Sequence, residues 1–220
     1  SGSDWNDVAS WSTGITPLAG ADVTISHNVT VNANTTTLGS ITVDNGVTLT
    51  ISSGRLIKIG GATDIDGSLT IDGTGDFDCE GDFDAQGGYV TFTGATEGKL
   101  RLAGQVPSLG TFNCGSNSHV YFDGTSPQTI PGETSKGEQK FNDFTLSGSD
   151  KTLDNSDPLI DKFLFQGVIN FAGGGDIITN GMPTRIENSP TNANDANHII
   201  GDVIYVSSST TPCTIPIGPC

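Results

Sequence analysis

A triplet of the form apolar-x-apolar returns roughly every 20 residues along much of this 220-residue chain, on three interleaved tracks. The first track reads Leu49/Ile51, Leu69/Ile71, Val90/Phe92 and Phe112/Cys114. The second reads Val29/Val31, Ile57/Ile59, Phe77/Cys79, Leu100/Leu102 and Val120/Phe122, and the third Ile41/Val43, Thr63/Ile65 and Phe83/Ala85. Alternation of period two marks a strand with one buried face. Three tracks mean three strands per coil, and a coil that cannot bury its apolar side chains alone must stack on its neighbours. The expected fold is all-β: a right-handed parallel β-helix (solenoid) with three strands per coil of about 20 residues.

Thirty Gly and ten Pro punctuate the short apolar runs, and no stretch of helical length carries apolar residues at i, i+3, i+4 and i+7. Nine Lys and Arg stand against 25 Asp and Glu, a formal charge of -16 that repels phosphate backbones, so nucleic acid is not an expected partner. No apolar run reaches the roughly 20 residues of a membrane-spanning helix. The chain opens Ser1-Gly2-Ser3 and its single Met is Met182, which suggests a processed or excised polypeptide.

The expected organisation is one solenoid over 1–187, with an N-terminal cap at 1–21, followed by a loop and C-terminal strand segment at 188–220 that caps the rod or connects it to the next subunit. A terminal coil needs cover, and Trp5 and Trp11 are the expected cap; an aromatic platform for sugar stacking is the alternative. Past Phe122 strands are expected at Gln128–Ile130, Phe144–Leu146, Phe163–Phe165, Ile169–Phe171 and Ile177–Thr179, with "PGETSKGEQKFND" and "GSDKTLDNSDP" as polar turn insertions.

The middle residue of each triplet faces solvent and stacks on its equivalent one coil away. On the first track this column is Thr24, Thr50, Thr70, Thr91 and Asn113, and Thr50, Thr70 and Thr91 form a candidate binding face for a repeating ligand such as glycan or ice. Threonine is also simply favoured on exposed strands. On the second track Lys58, Asp78, Arg101 and Tyr121 align, with Asp78 as the partner of both cations. On the third, Asp64 and Asp66 are expected one coil below Asp82 and Asp84. Stacked like charges destabilise unless a cation or a proton relieves them, so these four are the candidate calcium ligands; a solvated acidic face is the alternative. No cofactor is required otherwise.

Cys79 and Cys114 point inward two coils apart, about 10 Å at the usual strand spacing, which exceeds disulfide reach; two buried free thiols are expected. Cys213 and Cys220 in "PCTIPIGPC" could close a small loop in an oxidising compartment, or Cys220 could pair with another chain.

Two groups of segments resemble a known family. "WNDVASWSTGITPLAGADVTISHNVTV" with "ITVDNGVTLTI" resembles the N-terminal part of bacterial surface β-helix proteins and of related carbohydrate-associated β-helix domains. "VYFDGTSPQTIPG", "FNDFTLSGSDKTL", "GVINFAGGGDIITNG" and "GDVIYVSSSTTPCTIPIG" are similar to repetitive adhesin-type proteins exported by bacterial type IX secretion. The resemblance implies a secreted or cell-surface structural or adhesive protein, often part of a longer polypeptide. In such proteins a further segment and a sorting domain follow the motif seen here as Pro216-Ile217-Gly218, where this chain stops.

The functional expectation is therefore an extracellular structural or adhesive β-helix, self-associating end to end into a filament or bound to cell-surface glycans. The alternative is a polysaccharide-binding or polysaccharide-active protein of lyase or glycosidase type, for which Asp64, Asp66, Asp82 and Asp84 are the place to look. No catalytic residue is assigned and an enzyme is not expected: basic partners are scarce, His27, His119 and His198 are scattered as turn residues, and no GxSxG nucleophile motif occurs.

Overall fold

The computed structural model describes residues 3–132, 138–156, 162–193 and 197–205. The chain is a parallel β-solenoid whose short strands all pair with strands about one coil away. It packs as two units, Ser1–Ser118 and His119–Cys220.

The first unit holds β1 (Val23–Ile25), β2 (Val29–Val31), β3 (Ile41–Val43), β4 (Thr48–Ile51), β5 (Leu56–Ile59), β6 (Thr63–Ile65), β7 (Ser68–Asp72), β8 (Asp76–Cys79), β9 (Phe83–Asp84), β10 (Tyr89–Thr93), β11 (Gly98–Leu102) and β12 (Thr111–Asn113). They form three parallel ladders, ordered β2-β4-β7-β10-β12, β1-β3-β6-β9 and β5-β8-β11. On the first ladder Val29, Leu49, Leu69, Val90 and Phe112 are successive partners, in steps of 20, 20, 21 and 22 residues. Inward residues such as Leu49, Ile51, Leu69, Ile71, Ile57 and Phe77 are fully buried. Burying each such side chain stabilises by roughly 1.5–3 kcal/mol, which fixes register because a one-residue slip would turn the whole set outward.

Two assignments of the sequence reading change. Val29/Val31 belong to the first track, paired with Leu49/Ile51, not to the second. The Val29-to-Leu49 interval is one coil, whereas the 28 residues from Val29 to Ile57 are too many. Thr24 lies on the third track, paired with Thr42, so Thr30 heads the threonine column. The second face begins instead with an irregular segment: Thr35 N–H donates to Leu56 O and Leu38 bridges Ile59.

The second unit holds β13 (Ser118–Phe122), β14 (Gln128–Ile130), β15 (Glu138–Phe141), β16 (Asp143–Ser147), β17 (Lys151–Leu153), β18 (Lys162–Phe165), β19 (Ile169–Gly173), β20 (Ile177–Ile178), β21 (Thr184–Ile186), β22 (Ile199–Ile200) and β23 (Val203–Tyr205). Its ladders are β13-β16-β19, β14-β17-β20-β22 and β15-β18-β21-β23. Steps here range from 19 residues (Thr184 to Val203) to 26 (Lys151 to Ile177). A phenylalanine cluster fills the interior, with Phe144 within 5.5 Å of Phe122, Phe141 and Phe165 between ring centroids. The segments read as polar turns contain β15 and β17. In each, one of the two inward positions is polar, Gln139 beside Phe141 and Lys151 beside Leu153, all fully buried, and a polar residue facing inward hides the alternation that reveals a strand. β22 and β23 continue ladders that begin well before residue 188.

Candidate functional site

On the third face of the first unit the four acidic residues are less tightly grouped than the sequence suggested. Asp64 and Asp84 are rung partners, but Asp82 stands beside Ala62 in the ladder, its carbonyl accepting Thr63 N–H, and Asp66 lies beyond the strand pairing. Their carboxylates are also engaged: Asp82 Oδ1 accepts Gln105 N–H at 2.8 Å from the next coil, and Asp84 Oδ1 accepts Gln86 N–H at 3.0 Å. Partial desolvation, with Asp66 and Asp84 as neighbouring charges, raises the Asp64 carboxyl above its usual value. Asp64, with Asp66 and its rung partner Asp84 beside it, is thus the carboxylate that a cation or a proton would relieve.

This use of side-chain oxygens recurs. Asn28 Oδ1 accepts Thr48 N–H, Asn34 Oδ1 accepts Leu56 N–H, Asp143 Oδ1 accepts Val168 N–H and Asp150 Oδ1 accepts Asp176 N–H. Each spans one coil. At a corner, where the backbone ladder lapses, an Asx oxygen takes the orphaned N–H of the coil above. Sequence reasoning missed these clamps, because an Asx in a polar turn looks the same whether or not it reaches upward; the only available signal was recurrence at one coil's interval.

On the second face Lys58 Nζ bonds Asp78 at 3.0 Å and also Glu80, and the two carboxylates raise the lysine's pKa. Arg101 is the rung partner of Asp78, yet its Nε reaches diagonally to both oxygens of Asp76, at 3.1 and 3.2 Å, which corrects the expected pairing. Asp76 nonetheless has a raised pKa, because desolvation outweighs the guanidinium.

On the first face Thr30, Thr50, Thr70, Thr91 and Asn113 are in unbroken register, flanked by Thr48, Ser68, Tyr89 and Thr111. In the second unit His119 is a strand residue, not a turn residue. Its ring stacks on Tyr121 at 4.1 Å, Nε2 lies 2.7 Å from Thr145 Oγ1 and Nδ1 lies 3.2 Å from the Tyr121 hydroxyl. Lys151 Nζ donates to Gly124 O at 3.0 Å in the interior, and burial lowers its pKa to about 8.

Cys79 and Cys114 are buried thiols that form no disulfide among the described residues. Burial pushes the Cys79 thiol up to about 11 although it bonds Thr63 Oγ1 and Gly81 O, each at 3.2 Å. Cys213 and Cys220 lie outside the described residues.

At the N-terminal end, Trp5 is buried and packs edge-on against Trp11 at 4.9 Å, and Trp11 Nε1 donates to Trp5 O. Trp5 N–H donates to Thr30 O and Thr30 N–H to Ser3 O, so the cap closes the free edge of β2. Beside it lies a groove of about 400 Å³ between Trp11, Ile15, Pro17, Leu18, Ala21 and Val23. No helix among the described residues is long and apolar enough to cross a membrane. Compared with protein families, curated proteins and solved structures, the chain finds no match in any of the three.

Proposed function

We propose that this chain is an extracellular structural or adhesive protein of the cell surface, a parallel β-solenoid that associates with further copies of itself end to end. The supporting observation is where its polar side chains go. Asn28, Asn34, Asp82, Asp143 and Asp150 each accept a backbone N–H one coil on, so side chains that could have furnished a reactive centre are engaged in holding coil to coil. Such a ladder suits a molecule whose task is to keep its shape under load, and the formal charge of -16 favours solubility. Electron microscopy of the full chain over a range of concentrations tests the reading: filaments or short end-to-end oligomers are expected, and particles that stay single at every concentration overturn self-association.

A second reading rests on the threonine column. Hydroxyls about 4.8 Å apart along the column, with a second outward column about 6.7 Å away, could match a repeating polysaccharide. Sedimentation with insoluble polysaccharides tests it, with Thr50→Lys and Thr70→Lys expected to abolish binding; equal pull-down of the variants removes this reading.

A further inference from the structure

The N-terminal end of the first unit has three strand edges, one per face, and two of them are covered. The cap pairs with β2 through Trp5 and Thr30, and residues 34–38 pair with β5 through Thr35, Leu38 and the Asn34 side chain. The third, β1, is the end of its ladder. Val23 N–H donates to Ser40 O and Ile25 O accepts Asp44 N–H, so in the alternation of a parallel ladder the N–H and C=O of Thr24 face away from β3. Neither has a partner among the described residues. The apolar groove described above runs along this edge, and Ile15 and Leu18 beside it are 55% and 65% exposed. An open edge next to exposed apolar side chains is the arrangement that takes up an added strand.

The chain supplies a matching sequence. From Val203 to Cys220 it carries no charged residue, so this segment can approach an acidic chain without repulsion. Within it, Ile215-Pro216-Ile217 matches Val23-Thr24-Ile25 position for position. Set parallel, Ile215 and Ile217 face the same side as Val23 and Ile25. Pro216 stands opposite Thr24, and the bonds to Thr24 come from Ile215 C=O and Ile217 N–H. The missing N–H of proline then falls where no ladder bond is made, and proline holds its neighbours extended. We propose that β1 is an acceptor edge for residues 213–218 of a second copy of this chain, which add to it as a parallel strand with an isoleucine in the groove. This rests on the self-association reading and names its joint.

Ala21 faces Cys213 in that register, at the separation of neighbouring strands and within disulfide reach. The test is the full chain carrying Ala21→Cys and Cys220→Ser, oxidised mildly and run on a non-reducing gel, beside the same protein with Ile217→Asp added. A ladder of covalent multimers that Ile217→Asp reduces at least tenfold is expected. Sedimentation of the reduced protein accompanies it, with Thr24→Pro, which leaves the β3 pairing intact, expected to weaken association at least tenfold. Association that persists unchanged in Thr24→Pro and Ile217→Asp overturns this joint and leaves self-association standing. A covalent monomer closed on itself overturns it as well, since the strand then comes from the same copy. Single molecules throughout, without cross-links, overturn both readings.

Discussion

Asp176 stands one coil on from Asp150 and is held by it: the backbone N–H of Asp176 donates to Asp150 Oδ1 at 3.0 Å. Asp176 repeats the gesture, its own Oδ1 accepting the backbone N–H of His198 at 2.9 Å. The two carboxylates therefore act as successive rungs, each making good a ladder bond that the corner would otherwise lose.

Removing a rung should cost what a half-buried donor loses with its charged acceptor. Asp176→Ala is expected to lower stability by about 1–3 kcal/mol, and Asp176→Asn to recover most of it, since an amide oxygen accepts the same bond. Urea unfolding measures both. An Asn variant as unstable as the Ala variant would show that charge matters, through the His198 imidazole at 3.4 Å, and not the backbone bond.

Lys151 predicts a rise of stability with alkali. Its pKa is lowered from 10.5 to about 8, mainly by desolvation, against the pull of Asp123 and Asp150. Below pH 8 the amine is charged in both folded and unfolded states, and the cost of burying it is fully present. Between about pH 8 and 10.5 the unfolded chain holds a proton that the folded chain has released, so stability increases with pH, by on the order of 3 kcal/mol across the window. Lys151→Met should flatten this slope and be neutral or stabilising at pH 7. Parallel pH profiles for the two proteins would show that the lysine stays solvated.

Cys79 should resist thiol reagents until the chain unfolds. With its pKa at about 11 and the sulfur buried, only about one thiol in a thousand is thiolate at pH 8, and reagent has no path to it. Mass spectrometry after iodoacetamide treatment of the native, reduced protein should find Cys79 unmodified, and modified in 6 M guanidinium. Labelling at the rate of an exposed thiol would place Cys79 outside the core.

Asp64 and Asp84 predict a small, cation-dependent penalty. Asp64→Asn removes the rung repulsion and should raise the melting temperature slightly in chelator. If calcium occupies this pair, millimolar calcium raises the melting temperature of the native protein and has less effect on the variant. An equal response of the two assigns the calcium effect elsewhere.

Where apolar residues point inward the fold was legible, and the first and third tracks from Ile41 to Phe112 stand as read. It became obscure where chemistry and direction part company. Gln139 and Lys151 face inward and so concealed β15 and β17. Val29 and Val31 resemble any inward pair, and only the 20-residue interval to Leu49 and Ile51 assigns them a face. Of the acidic pairs, Asp64 and Asp84 were placed together correctly, but register separates Asp66 from Asp82, and what occupies the carboxylates is a backbone N–H that no sequence pattern displays.

One further column was present in the sequence as punctuation. Gly39, Gly61, Gly81 and Gly104 follow one another at about one coil's interval, and a Cβ on any of them would strike the backbone of the coil before it. At Gly81 the nearest atoms would be the O, C and Cα of Gly61, all of them backbone that cannot swing aside as a side chain can. Coils can stack at this corner only if no side chain intervenes. Gly81→Ala is therefore expected to cost about 2–4 kcal/mol through steric overlap. Gly46 is the control: its φ is +77° and a Cβ there meets nothing within 4 Å, so Gly46→Ala bears only the backbone penalty of about 1 kcal/mol. Equal losses for the two variants in chemical unfolding would mean that the corner can open to admit a methyl group, and that the glycines serve the turn and not the stack.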